Sequence, residues 1–222
     1  MRLLLLLFFV YPICLPAQST YDSSFHFYYY DQKLSMFEIM PDQKGEVVWM
    51  GDSITDGGEW SELFPHEKTL NRGISSDNTF GVLFRLTEIT RRKPKKIFLL
   101  IGINDIARNI PDSVIIANYR KIISVIQQQT PQSHLYMQSI LPTNNTFSEF
   151  KNHQNKTAHI IAINTDLQKL CKEKNIVFVD LYQQFVDEYG KLASRYTNDG
   201  LHLTGDGYKK WKQLLIEKKI MK

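Results

Sequence analysis

Met50-Gly51-Asp52-Ser53-Ile54-Thr55-Asp56 is the stretch on which the reading of this chain turns. It follows the apolar run Val47-Val48-Trp49-Met50, which predicts a short buried strand. A strand that stops at Gly-Asp-Ser and runs into polar residues sets a serine hydroxyl at its C-terminal end. In open α/β sheets that edge is where ligands bind. Gly and Asp are also ordinary turn residues, so the tripeptide alone carries little. Its weight comes from company further along: Gly73, Gly102-Ile103-Asn104-Asp105 and Asp199-Gly200-Leu201-His202.

Outward from this stretch, strands and helices alternate. Leu70 to Ile74 predicts a second short strand, and Asp77 can cap a helix carrying Val82, Leu83, Leu86 and Ile89 on one face. Pro94 stops that helix before the buried strand Ile97 to Ile101. Pro111 opens a helix with the stripe Ile115, Tyr119, Ile122, Ile123 and Ile126. Leu135 to Ile140 is the next strand, followed by a polar loop from Pro142 to about Phe150. A helix with Ile160, Ile163, Leu167, Leu170 and Cys171 leads to the strand Ile176 to Asp180, and a last helix carries Tyr208, Trp211, Leu214 and Leu215. Strand–helix alternation of this kind implies an α/β domain, a parallel sheet covered by helices on both faces.

Upstream, residues 18–45 are aromatic-rich. The spacing of Tyr30, Leu34, Phe37 and Ile39 predicts a helical extension packing its aromatics on the domain at 46–222. Met1-Arg2 and the apolar run from Leu3 to Cys14 give a basic start and an apolar core of about a dozen residues, shorter than the ~20 a membrane span needs. Residues 1–17 therefore read as a signal peptide cleaved after Ala17, which implies export to a periplasmic or extracellular location without stable membrane insertion. Tyr11-Pro12-Ile13 lacks the small residue expected before a lipidated Cys14. Cys171 would then be the only cysteine of the mature chain, leaving no internal disulfide and no thiolate metal cluster.

The composition is that of a globular protein, with 222 residues, 43% hydrophobic, 23% charged and a formal charge of +4. Its basic clusters, Arg91-Arg92-Lys93, Lys95-Lys96 and Lys218-Lys219, read as solvated helix ends. A nucleic-acid partner would need a basic face with stacking aromatics, and none is evident.

Ester hydrolysis by a serine needs a base, a group that orients the base, and donors for the oxyanion. Ser53 has the address of a nucleophile. His202 is the candidate base, and Asp199, three residues earlier across Gly200, can hold its Nδ1. Gly73 and Asn104 each follow a predicted strand on the same edge and can offer a backbone N–H and an amide NH2 to an oxyanion. Taken singly, each of these is ordinary turn or cap chemistry; the conjunction is what points to catalysis.

The ordered set Gly51-Asp52-Ser53, Gly73, Gly102-x-Asn104-Asp105 and Asp199-x-x-His202 resembles the SGNH (GDSL) hydrolases, from about Val47 to about Leu215. The block Asn71-Arg72-Gly73-Ile74 resembles the branch holding platelet-activating-factor acetylhydrolase-like subunits and bacterial carbohydrate, including sialate, O-acetylesterases. The resemblance implies a flavodoxin-like three-layer fold with a five-stranded sheet of order 2-1-3-4-5 and no metal or organic cofactor. It also implies a triad of Ser53, His202 and Asp199, and an oxyanion hole of the Ser53 N–H, the Gly73 N–H and the Asn104 side chain. Ser75-Ser76 stands where relatives of that branch often carry glycine, which changes the pocket beside Gly73.

Asp52 and Asp105 are expected to brace the site through loop backbone. Asp56, Glu59 and Glu62 read as a solvated helix face; His26, His66, His134, His153 and His159 have no ligand-like spacing and read as surface residues. The loops around Trp60 and around Asn144 and Asn145 mix polar residues with isolated aromatics, which suits a sugar. The expected substrate is an acetyl ester of a small molecule or oligosaccharide. A lipid-directed esterase on the same machinery and a non-catalytic carbohydrate-binding module are the alternatives. A flavodoxin-like nucleotide binder would need a Gly-rich phosphate loop, and Gly57-Gly58 is too little.

Overall fold

The computed structural model describes residues 21–222. The expected leader at 1–17, and Cys14 with it, lies outside the described residues. In chain order the elements are α1 (Tyr28–Ile39), β1 (Val47–Gly51), α2 (Ser53–Asp56), α3 (Trp60–Leu63), β2 (Thr69–Gly73), α4 (Thr79–Phe84) and α5 (Leu86–Arg91). There follow β3 (Lys96–Leu100), α6 (Ile103–Ala107), α7 (Asp112–Gln129), β4 (His134–Gln138), α8 (Thr157–Glu173), β5 (Val177–Val179), α9 (Tyr182–Phe185) and α10 (Gly205–Glu217). The strands form one sheet of order β2-β1-β3-β4-β5, every neighbouring pair parallel, as the resemblance implies. Among the described residues no helix is long and apolar enough to cross a membrane.

β1 and β3 lie inside the sheet, and their continuous apolar runs are buried almost end to end, as strands covered on both faces require. Register aligns Gly51 with Gly73 on one side and with Leu100 on the other. The chain therefore leaves β2, β1 and β3 at one level, and Gly73, Ser53 and Asn104 follow directly from that alignment.

Trp49, Phe98 and Tyr136 are register neighbours on β1, β3 and β4 and stack in a row across the sheet, with centroids 4.4 and 4.8 Å apart. Trp60 lies over Trp49 at 3.7 Å with the rings nearly parallel, and Trp211 of α10 meets both edge-on. Trp60 is only 1% exposed and its indole N–H donates to Thr55 O at 2.9 Å. It is thus a core residue and not part of a substrate loop. An aromatic beside a catalytic helix reads the same in sequence whichever way its ring turns.

Three other expectations need correction. The helix expected after Asp77 is broken into α4 and α5 at Arg85, and its cap is Asn78, whose side chain accepts from the Phe80 and Gly81 N–H groups. Arg85 leaves helical geometry while its guanidinium serves buried acceptors on Asp77, Arg72 and Gly51. In the basic cluster, Arg92 is buried, not solvated: it pairs with Glu88 and Glu46 and donates to the carbonyls of Phe37, Met40 and Pro41. That contact moors the end of α1 to the start of β1. In α1 itself Tyr30 and Phe37 are buried as the spacing predicts, and the Tyr30 hydroxyl donates to Gly81 O at 2.7 Å, but Ile39 faces outward.

Trp60→Ala should cost about 3–5 kcal/mol of stability, since it empties the centre of the aromatic stack. Urea unfolding followed by circular dichroism measures this, and a loss under about 1 kcal/mol would mean the stack is not a core.

Candidate active site

Ser53 opens α2 directly after β1. The residue before it, Asp52, caps that turn by accepting from the Ile54 N–H at 3.0 Å. The half-buried Ser53 hydroxyl donates to His202 Nε2 at 2.9 Å, and His202 Nδ1–H donates to Asp199 Oδ2 at 2.7 Å. The carboxylate accepts only, so the imidazole must carry its proton on Nδ1, which leaves Nε2 bare to accept from serine. Asp199 Oδ1 takes the backbone N–H groups of Leu201 and His202, both at 2.8 Å. Burial pushes the Asp199 pKa up, but these donors and the His202 ring outweigh it and hold the carboxyl below its ordinary value.

The loop bearing this pair is tight because position 200 is glycine. Its φ is +84°, and a Cβ there would sit 2.4 Å from Asn144 O. Asn144 N–H in turn donates to Gly200 O at 2.8 Å. Asn144 is buried, its side chain donating to Leu192 O and accepting from Thr146, so it frames the loop instead of facing a substrate. Asn145 pairs with Asn155 at the surface. Asn144 is thereby withdrawn from the substrate role expected of that loop, while Asn145 stays exposed. The residue from it that reaches the site is Phe150, whose exposed ring meets His202 edge-to-face at 4.8 Å.

Gly73 ends β2 where a Cβ would lie 2.1 Å from Asp56 N, so any side chain would push the serine-bearing helix away. Its N–H does not stand free: it donates to Asn71 Oδ1 at 2.8 Å, while the Asn71 amide donates to the carbonyls of Asp56 and Gly58. Asn104, buried at the start of α6, donates from Nδ2 to Asp77 O at 2.8 Å. Its Oδ1 lies 2.9 Å from His153 Nε2. His153 is therefore at the site and not on the surface. Nothing in the sequence marks it, because its partner is 49 residues away.

Below these groups lie three buried carboxyls. Asp77 forms an ion pair with Arg85, with both side chains almost wholly buried. Asp105 accepts from the Thr79 hydroxyl and N–H, and burial pushes it up to about 7 against those bonds. Asp52 is pushed up to about 8, by burial first and then by the neighbouring Asp77 and Asp105 charges; its Oδ2 has no partner among the described residues. Asp52 thus holds the turn of Ser53, and Asp105 holds the start of α4. Asp56 is no solvated residue: its carboxylate accepts from Tyr29 OH, Lys33 Nζ and Ser75 Oγ, which ties α1 to the end of α2. Ser75 thus has a use a glycine would lack, whereas Ser76 sits at φ +66°, a conformation glycine adopts more easily.

The sequence profile of the GDSL-like Lipase/Acylhydrolase family matches residues 49–210, which span every group of this site from Ser53 to His202. The chain belongs to that family. As a GDSL-like acylhydrolase it is a carboxylic ester hydrolase, and the relatives agree. The platelet-activating factor acetylhydrolase IB subunit alpha2 of Homo sapiens is 29% identical over 175 residues, covering 76% of this chain and 73% of its own. A solved Streptococcus pneumonia structure, provisionally assigned to platelet activating factor, aligns with TM-score 0.78 and 27% identity over 86% of this chain and 92% of its own. An acetyl xylan esterase structure aligns with TM-score 0.66 at 16% identity over 78% of this chain and 98% of its own, a likeness of fold.

The raised pKa of Asp52 has a consequence for stability. The native state keeps a proton that the unfolded chain releases near pH 4, so this stabilisation is complete below that value and is lost as pH rises through about 8. Asp52→Asn keeps an acceptor for the Ile54 N–H and removes the titration. Between pH 5 and pH 9 the wild type should lose more of its urea stability than Asp52→Asn does, by up to about 1.4 kcal/mol per pH unit. Equal losses would mean Asp52 is ionised in the native state.

Proposed function

We propose that this hydrolase is a serine esterase that removes acetyl groups from a carbohydrate through an acyl-enzyme. The observation that carries the reading is the hydrogen-bonded series Ser53 Oγ, His202 Nε2, His202 Nδ1 and Asp199 Oδ2. Ser53 Oγ attacks the ester carbonyl carbon as its proton passes to His202 Nε2, and Asp199 stabilises the imidazolium. The tetrahedral oxyanion is met by the Ser53 N–H and the Asn104 amide, with the Gly73 N–H shared between Asn71 and the oxyanion. Collapse breaks the ester C–O bond, and the leaving alcohol takes the proton from His202. Water, deprotonated by His202, then attacks the acetyl-Ser53 carbonyl, and acetate leaves with Ser53 restored.

Acetyl preference is supported by the name acetylhydrolase on relatives that cover about three quarters of the chain. A carbohydrate ester is supported by the polar residues Ser75 and Ser76, which follow Gly73 with Ser76 exposed, and by the exposed ring of Phe150 against His202. A substrate outside the cell is consistent with the leader read at 1–17. A second reading, a lipid-directed esterase, is favoured by the words platelet-activating factor in those relatives' names.

With p-nitrophenyl acetate and with acetylated sugars, Ser53→Ala should lower kcat by about 10³-fold or more at unchanged folding. Equal turnover by wild type and variant on either substrate would end the serine reading. Faster turnover of long-chain acyl esters than of acetyl esters would select the lipid-directed esterase instead.

A further inference from the structure

We infer that His153 is a positioning residue for this reaction, holding the Asn104 amide in the one orientation that keeps an N–H available to the oxyanion. The inference rests on the serine-esterase reading above. It begins with the Asp77 carbonyl, which can only accept a hydrogen bond. The Asn104 atom 2.8 Å from it must therefore be the nitrogen, and this fixes which way the amide is turned. Oδ1 is then the atom 2.9 Å from His153 Nε2. That oxygen is also acceptor-only, so the proton of His153 sits on Nε2, and the ring donates to the amide.

The remaining observations agree with a neutral imidazole used as a fixed donor. His153 Nδ1 is buried and has no partner among the described residues, as a bare ring nitrogen facing no donor would be. Burial first, then the nearby His202, lowers the His153 pKa to about 4, so the ring stays neutral while His202 cycles its proton. A second cation so close to His202 would oppose the imidazolium that forms during acylation. Donation into Oδ1 also polarises the amide and strengthens its N–H groups as donors. One N–H of Asn104 is held by Asp77 O, and the other is left for the oxyanion.

The turn that carries His153 is built to stay in place. His153 N–H donates to Phe150 O, Thr143 Oγ1 donates to His153 O, and Gln154 Nε2 donates to the carbonyls of both Phe147 and Glu149. Phe150, at φ +51°, sets its ring edge-to-face with both imidazoles, 4.8 Å from His202 and 5.9 Å from His153. Without His153 the bond to Asp77 O alone would restrain the Asn104 amide, whose oxygen and nitrogen turn together, so any rotation would also carry the second N–H away from the oxyanion.

The test is a kinetic cycle on the full chain with p-nitrophenyl acetate, using His153→Phe, His153→Gln, Asn104→Ala and the double variant His153→Phe/Asn104→Ala. His153→Phe should lower kcat about 10- to 50-fold, a fraction of what loss of a whole oxyanion donor costs, with KM within about twofold. His153→Gln, which restores an N–H donor, should recover part of that loss. In the Asn104→Ala background the His153→Phe change should cost less than about twofold more. Full additivity, or a His153→Phe kcat within about twofold of wild type, would overturn the inference. An activity-independent measurement covers a variant that fails to fold: ¹⁵N NMR of the wild-type imidazoles should find His153 neutral with its proton on Nε2. A proton on Nδ1 would overturn the inference. Ser53→Ala in the same assay separates the two claims: if it is as active as wild type, the serine reading fails, whereas an inactive Ser53→Ala beside an unaffected His153→Phe fails only this one.

Discussion

One buried guanidinium ties together two of the strand ends on which this site is built and, through Asp77, the start of α6. Arg85 donates to the carbonyl of Gly51, two residues before the serine, to the carbonyl of Arg72, one residue before Gly73, and to the carboxylate of Asp77. The backbone carbonyl of Asp77 then holds Asn104. Taking both charges of the Arg85–Asp77 pair out of water costs several kcal/mol per ion, which only close geometry and filled hydrogen bonds offset. What the pair contributes is a fixed distance between β1, β2 and the start of α6. The break between α4 and α5 belongs to the same arrangement, since a continuous helix would direct the Arg85 side chain elsewhere.

The other half of the site hangs from the far end of the chain. His202 and Asp199 belong to a loop whose backbone touches the loop of Asn144, and that second loop supplies Phe150 and His153. The base, the aromatic wall and the clamp on Asn104 are thus one assembly, seated against the serine by a single hydrogen bond to His202. His202, which moves the proton, is held from behind by Asp199.

Much of this was legible in the sequence, for a physical reason. Ser53, Gly73 and Asn104 follow strands whose apolar runs are long enough to be recognised, and parallel register then brings strand ends together whatever the helices do. Asp199 and His202 are local to one another, so spacing alone suggests the pair. Trp60 and Asn144 were misassigned because loop position and residue type say nothing about which way a side chain turns. Arg92 and Asp56 read as solvated in sequence because charge ordinarily is. Their burial depends on partners far off in sequence, such as Glu46 for Arg92 and Tyr29 and Lys33 for Asp56. His153 had no local signal at all. Its role arises only when the loop after β4 folds back onto α6.

The mooring of α1 bears on how this enzyme can be cut down. The family profile begins at residue 49, and a fragment started there would contain every residue of the triad and the oxyanion hole. It would also strip Asp56 of the Lys33 ammonium and the Tyr29 hydroxyl, at the end of the very turn that presents the nucleophile. Arg92 would be left with guanidinium N–H groups directed at carbonyls that no longer exist. A minimal catalytic unit drawn from the family boundary alone would thus leave Asp56 without its cation and Arg92 with Glu88 as its sole remaining carboxylate. The smallest useful version of this protein starts upstream of Tyr28.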